Sequence, residues 1–276
     1  MSDRKSGPIG VFDSGYGGLT ILKEIVKTLP QYDYIYLGDN ARAPYGNRSF
    51  ETVYEFTWQH VKNLFGMGCQ LVLLACNTAS AKALRNIQQK NLPATDSKRR
   101  VLGVIRPTAE IVGEYSTSGN VGVFATEGTV RSGTYIIEIQ HFFPELQVFQ
   151  QACPMWVPIV ENNEIESEGA TFFIKEYIKE LLAQSNNIDT IVLGCTHYPL
   201  LQKQIKKYLP SHIQLISQDS IVAKSLADYL IRHPEIETVC SKEGTRTFYT
   251  TDDAENFDKH AKLFFGSEIK SKVLHI

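Results

Sequence analysis

Two cysteines carry the chemistry this sequence offers. Cys76 and Cys195 each close a run of apolar β-formers and lead into threonine, in Leu71-Val72-Leu73-Leu74-Ala75-Cys76-Asn77-Thr78 and Ile191-Val192-Leu193-Gly194-Cys195-Thr196-His197. Read as a buried parallel strand followed by a helix, each segment sets a thiol at the carboxyl end of a strand, where α/β sheets bind ligands. Asn77, Thr78, Ser80 and Thr196 are good helix N-cap types. A thiol beside unpaired N–H groups at the positive end of a helix is biased toward thiolate. Two thiols in matched contexts point to one reaction centre approached from two sides, as a two-base proton transfer requires. The competing reading is that a buried cysteine is simply a small hydrophobe. Cys69, Cys153 and Cys240 lack the strand-Cys-Thr context and are read as structural.

Other residue types cluster at the same strand ends. Asp13 ends a first strand in Asp13-Ser14-Gly15-Tyr16-Gly17-Gly18 and points toward the site of Cys76, or else caps the following helix. The glycines, with Asp39 ending the next strand, imitate a dinucleotide fingerprint. Against that reading, Thr20 stands where the third glycine belongs, and Asp13 would put negative charge beside a pyrophosphate. No Gly-Lys-Ser/Thr follows, which excludes a P-loop. His197, two residues past Cys195, is placed to align with the thiol or a ligand, or to be a capping or exposed histidine. Glu161 closes the apolar stretch Val157-Pro158-Ile159-Val160 and reads on its own as a solvated loop residue. Cys76, Cys195, His197 and Glu161 are zinc-ligand types, but a single Cys-x-His spacing is a weak signal.

The elements that must position these groups alternate between strand and helix. Strand-like runs at 9–12, 34–37, 71–75, 101–105, 121–124, 146–149 and 191–195 are separated by helical patterns, among them 52–65 and 170–183. Such alternation implies βαβ units and mostly parallel sheets. The polar, basic stretch 88–100, with Pro93 and no apolar periodicity, reads as one domain crossing, and Leu209-Pro210-Ser211-His212 as a second. Strand-like segments at 213–217, 246–250 and 272–276, with a helix near 219–232, are too few for a third domain and are expected to complete the first sheet. Ile9-Gly10-Val11-Phe12 matches Val121-Gly122-Val123-Phe124, and each leads to a strand-Cys-Thr element. The expected fold is therefore α/β, with two duplicated, pseudo-symmetric lobes, each a mostly parallel sheet flanked by helices, and an active site in the cleft between them. Lobe one is 1–100 plus 213–276, and lobe two is 101–212.

Composition sets the background. The 276 residues are 43% hydrophobic and 21% charged with net charge −2, which argues against a broad nucleic-acid or membrane surface. No apolar run approaches the roughly 18 residues a membrane span needs. Met1-Ser2-Asp3-Arg4-Lys5-Ser6-Gly7-Pro8 lacks the apolar core of a signal peptide. Five cysteines without a CxxC or a disulfide framework fit a reduced cytoplasm. No lysine motif suggests a Schiff-base cofactor.

Five segments together resemble glutamate racemases of the aspartate/glutamate racemase family: Asp13-Ser14-Gly15-x-Gly17-Gly18, Ala43-Pro44-Tyr45-Gly46, Ala75-Cys76-Asn77-Thr78-Ala79-Ser80, Val157-Pro158-Ile159-Val160-Glu161 and Gly194-Cys195-Thr196-His197-Tyr198-Pro199. They fall in family order and span both halves. The resemblance implies cofactor-independent, two-base interconversion of L- and D-glutamate, supplying D-glutamate for peptidoglycan, in a cytoplasmic and commonly homodimeric enzyme. Residue by residue it implies Cys76 and Cys195 as the two acid/base groups, with Asp13 assisting Cys76, and His197 and Glu161 assisting Cys195. Substrate contacts are implied for Asp13, Ser14, Tyr45, Gly46, Asn77, Thr78, Thr196 and His197; no metal or organic cofactor and no nucleic-acid partner is implied. After Glu161, Asn162-Asn163-Glu164 depart from the family pattern. The branch regulated by a muropeptide precursor carries a longer N-terminal extension, so activity without an activator is expected.

Overall fold

The computed structural model describes residues 5–276; the first four residues of the polar N-terminal stretch lie outside them. Ten strands occur among the described residues, in chain order β1 (Ile9–Asp13), β2 (Tyr34–Gly38), β3 (Leu71–Leu74), β4 (Arg100–Gly103), β5 (Asn120–Ala125), β6 (Gln147–Ala152), β7 (Thr190–Gly194), β8 (Gln214–Ile216), β9 (Arg246–Thr250) and β10 (Ser271–Val273). They form a six-stranded sheet ordered β10-β9-β2-β1-β3-β4 and a four-stranded sheet ordered β6-β5-β7-β8. Every pairing between these strands is parallel. All residues of β1 and β3, and of β7 in the other sheet, are buried, as parallel strands covered on both faces by helices must be.

The chain forms two compact units, one running to Val104 and resuming at Asp219, the other Ile105–Gln218. Two strands differ from the sequence expectation. The strand read at 101–105 as opening the second lobe is β4, and it pairs with β3 in the first sheet. The strand read at 213–217 as returning to the first sheet is β8, and it pairs with β7 in the second. In both cases a parallel βαβ crossover lays the strand beside the one just before it. The chain therefore leaves each unit one strand later than composition indicates. With these memberships the two sheets share one strand order, β2-β1-β3-β4 against β6-β5-β7-β8.

The stretch 88–100, read as a crossing, is largely helical. The helix Asn77–Asn86 runs into a π-turn, Ile87–Asn91, and a last turn, Leu92–Thr95. Ile87 and Leu92 are its buried anchors, five residues apart, and the Leu92 N–H donates to the Ile87 carbonyl, so the apolar spacing follows the π-turn rather than the α-helical period. Pro93 sits in the first turn of the closing segment, where its missing N–H costs nothing. The Leu209–His212 stretch lies inside the second unit, before β8.

The flanking helices follow their apolar faces. Phe50–Gly66 buries Val53, Thr57, His60, Val61 and Leu64 and is capped by Ser49, whose side chain accepts from the Thr52 N–H at 3.1 Å. Glu168–Leu182 buries Ala170, Ile174, Tyr177, Ile178 and Leu181 behind the cap of Ser167. In the second unit Trp156 centres an aromatic core, with Phe124 and Tyr198 rings 4.8 Å away.

Two carboxylates tie loops to the amino ends of strands. Asp33, just before β2, accepts from the Thr245 N–H at 2.8 Å, the Thr245 hydroxyl at 2.7 Å and the Glu243 N–H at 3.2 Å. Asp189, just before β7, accepts from the Ser116 hydroxyl and from the N–H groups of Thr117 and Ser118, each at 2.7 Å. Both carboxyls lie below the usual carboxylate range because these hydrogen bonds outweigh the opposing cost of burial. Among the described residues no disulfide is formed, and no helix is long and apolar enough to cross a membrane.

Candidate active site

In the first unit the carboxyl ends of β1, β2 and β3 gather the predicted residues. Cys76 is the N-cap of the ten-residue helix Asn77–Asn86, with extended backbone, and its Sγ accepts from the Ala79 N–H at 3.4 Å. The thiol thus stands at the positive end of a full helix, as expected. Ser14 Oγ lies 3.4 Å from Cys76 Sγ. Asp13, the last residue of β1, is buried and its Oδ1 accepts from the Gly15 N–H at 2.9 Å, while the Tyr36 hydroxyl donates to the Gly15 carbonyl at 2.9 Å. Gly18 is required by packing: a Cβ there would lie 2.6 Å from Asp13 Cβ and 2.9 Å from Ala75 Cβ. Asn77 and Thr78 are buried at the start of the helix. Ser80 is a strut, its hydroxyl donating to the Leu74 carbonyl at 2.9 Å and accepting from the Val104 N–H at 3.3 Å.

The dinucleotide alternative does not survive this geometry. Gly15 turns its N–H onto Asp13, so the glycine loop forms no phosphate cradle. Asp39 is fully buried and engaged by Arg42, Tyr45, His60 and Thr251, so it is not presented to a ribose. Tyr45, expected to meet substrate, is buried with its hydroxyl donating to Asp39. Any substrate contact at 45–46 must therefore use the loop's backbone, with Gly46 beside it half-buried.

In the second unit the arrangement is different. After β7, Cys195, Thr196 and His197 form a turn, followed by a 3-10 turn, Tyr198–Leu201, and only then the helix Gln202–Tyr208. No helix begins at Cys195, so the expected dipole argument fails for this thiol. Its neighbour is an imidazole instead. Cys195 Sγ lies 3.9 Å from His197 Nδ1, and His197 Nε2 lies 2.9 Å from Glu161 Oε1. Glu161 is not a loop residue but the last residue of the helix Trp156–Glu161, its carboxylate turned to the buried histidine. Burial opposes charge on His197, but the hydrogen bonds and negative charges of Cys195 and Glu161 outweigh it and lift the imidazole to about 10. Cys195 and Glu161 thus favour the imidazolium form of His197, in which both nitrogens donate. Thr196 is buried beside it. Ala125 ends β5 where Asp13 ends β1, so the second unit has no equivalent carboxylate.

The three remaining cysteines are buried, and burial pushes the Cys69 and Cys240 thiols up to about 12 and the Cys153 thiol well above its ordinary value, which keeps them as inert thiols. Among the described residues no group of three or more His, Cys, Asp or Glu side chains is arranged to hold a metal ion. Arg42 and His60 were not legible as site residues; only the short spacing of Arg42 from Asp39 hints at either.

One register relates the two thiols. Leu74 is paired with Phe12 and Leu193 with Phe124, and each cysteine lies two residues beyond that partner. The fold, a repeated strand order with a thiol at the same register in each copy, has known counterparts. Residues 9–226 match the model of the Asp/Glu/hydantoin racemase family. A glutamate racemase from Geobacter metallireducens is 39% identical over 95% of this chain and 93% of its own length. A solved glutamate racemase from Bacillus anthracis is 34% identical with a TM-score of 0.88, covering 99% of this chain and 98% of the other. One from Francisella tularensis, solved with D-glutamate, is 32% identical with a TM-score of 0.86, again covering 99% and 98%. The chain belongs to the Asp/Glu racemase family, within its glutamate racemase branch. It is an amino-acid isomerase.

Proposed function

We propose that the chain interconverts L- and D-glutamate by two-base proton transfer, with Cys76 and Cys195 serving opposite faces of the α-carbon. The observation that carries this is the shared register: each sheet offers one thiol two residues beyond the same strand position. One cysteine, as thiolate, removes the α-proton; the other, as thiol, returns a proton to the opposite face, and the roles exchange in the reverse direction. No electrons are gained or lost, and the enzyme ends with its proton on the other sulfur.

The α-proton of an amino acid is weakly acidic, so this route needs concerted transfer and fixed charges in a water-poor site. At Cys76 the helix terminus favours thiolate and Ser14 orients it. At Cys195 the His197 imidazolium, held charged by Glu161, does the same work. Asp13 would favour the ammonium form of the substrate, which makes the α-proton more acidic. Ser14, the 45–46 backbone, Asn77, Thr78, Thr196 and His197 supply hydroxyl and N–H donors for the two carboxylates. The D-glutamate bound to the Francisella tularensis relative supports glutamate as substrate. The product would serve peptidoglycan synthesis in the cytoplasm, and the enzyme would work as a homodimer.

The test is purified protein with L- or D-glutamate in deuterated water and no added cofactor. Exchange of the α-hydrogen together with inversion is expected from either enantiomer. Absence of both rejects the proposal, and preferential turnover of aspartate moves the substrate assignment.

A further inference from the structure

The buried carboxylate of Asp39 has no part in proton transfer, yet four side chains, Arg42, Tyr45, His60 and Thr251, converge on it. Asp39 Oδ2 accepts from Arg42 Nε at 2.8 Å and from the Tyr45 hydroxyl, and lies 3.1 Å from His60 Nε2. Its Oδ1 accepts from the Thr251 hydroxyl at 2.8 Å. Arg42 also reaches Gln59 Oε1 at 2.9 Å and covers the Phe56 ring, 4.0 Å from its centroid. Taking a carboxylate wholly out of water is tolerable only when charge and hydrogen bonds compensate this fully.

We infer that Asp39 is a positioning residue for the racemisation, fixing the 43–46 loop in the form that receives substrate. Arg42 and Tyr45 lie on either side of Ala43-Pro44, and both bind the same oxygen of Asp39, which pins the loop at two points three residues apart. The anchor is itself attached to the reaction end of the sheet, because the Asp39 N–H donates to the Asp13 carbonyl at 3.0 Å. The far side of the loop is tied to the helix that carries Cys76: the Arg48 N–H donates to the Tyr45 carbonyl at 3.1 Å, and Lys82 Nζ donates to the Arg48 carbonyl at 2.6 Å. The loop is thus suspended between the residue after which β1 ends and the helix capped by Cys76. His60 completes the support, stacked 5.2 Å from the Phe12 ring that precedes Asp13. With the Tyr45 hydroxyl committed to Asp39, the backbone at 45–46 is what remains to meet a substrate. An Asp39 charge that holds that backbone ready would act on substrate affinity, since ordering the loop at each binding event would otherwise cost free energy.

This inference rests on the reading of Tyr45 and Gly46 as substrate contacts, and the experiment separates the two. Glutamate racemisation is measured against concentration for wild type, Asp39→Asn and Tyr45→Phe. Each variant is expected to raise KM roughly ten-fold or more, the scale of a lost charge-assisted hydrogen bond, with kcat within about three-fold of wild type. The double variant should be little worse than Asp39→Asn alone, because both substitutions remove the same bond. A merely structural role would lower Tm and leave KM unchanged, and that outcome overturns the inference. Should Asp39→Asn not fold, Tyr45→Phe decides alone; its ring contacts with Phe12 and Phe56 are retained, and an unchanged KM refutes the role. If wild type fails to turn over glutamate, the functional reading fails, and the anchor is read by amide hydrogen exchange. Residues 43–48 must then exchange faster in Tyr45→Phe than in wild type, and equal protection rejects the anchor as well.

Discussion

Replacing Glu161 by glutamine tests the half of the chemistry that belongs to Cys195. The substitution keeps the shape of the side chain and removes its charge. In the native protein His197 is lifted from 6.5 to about 10, a preference of roughly 5 kcal/mol for the imidazolium. That preference is shared between Cys195 and Glu161 and is already net of the cost of burial. An opposite charge within hydrogen-bonding distance typically accounts for about 1–3 pKa units, or about 1.4–4 kcal/mol. Glu161→Gln should therefore bring His197 down to roughly 7–9. A titration of histidine-labelled protein followed by NMR reads this directly: wild type should stay charged through neutral pH with a midpoint near 10, and the variant should titrate at least about one unit lower. Activity should follow with a particular signature. The two enantiomers of glutamate have equal free energy in water, so kcat/KM must fall by the same factor in both directions. Because Glu161 acts through His197, the loss should be larger above the lowered midpoint than below it. A His197 midpoint near 6.5 in wild type, or one that does not move in the variant, refutes the charge relay from Glu161 through His197 to Cys195.

Three further outcomes follow from the same structure. Cys76→Ser and Cys195→Ser should each cut glutamate racemisation by roughly 10²–10⁴-fold, the scale of a lost acid/base group; a native rate in either variant is incompatible with two bases. Gly18→Ala should destabilise the protein by about 1–3 kcal/mol in denaturant unfolding, because the new methyl meets backbone-proximal carbons of Asp13 and Ala75 that cannot move aside; unchanged stability would show that the first helix can shift on its strand. Asp33→Asn should cost about 1–2 kcal/mol near pH 7. Its folded-state pKa, near 2 against the usual 3.8, makes that contribution complete above pH 3.8 and lost as pH falls through about 2, so the deficit should shrink over that interval in acid unfolding. A deficit independent of pH would place the effect elsewhere than in the carboxylate.

The strands were legible because a parallel strand buried on both faces must be an unbroken apolar run, and 71–75 and 191–195 are such runs. Their membership was not. The apolar pattern of 101–105 and 213–217 identifies strands but carries no information about which neighbour they pair with; that is set by the crossover. The helix beyond Ile87 is not legible in the sequence because its buried side chains follow the π spacing, which a 3.6-residue period does not match. At the site, the two thiols and Asp13 were visible from their places at strand ends. Glu161 in isolation resembles a solvated residue, since its partner lies 36 positions away. Asp39 imitates a ribose-binding carboxylate in the sequence, but the residues that fix its role extend to Thr251, 212 positions on, and no local pattern links them. The expected symmetry of the two thiols broke where the chain after Cys195 turns instead of entering a helix.

The carboxylates Asp33 and Asp189 clasp their loops at the amino ends of β2 and β7, while the reactive groups stand at the carboxyl ends of the strands. Within each unit the fastening and the chemistry are thus a full strand length apart. A lineage adapting to heat or cold could retune loops 116–119 and 241–245 without moving a thiol, so the usual exchange of durability for turnover need not apply to changes made there.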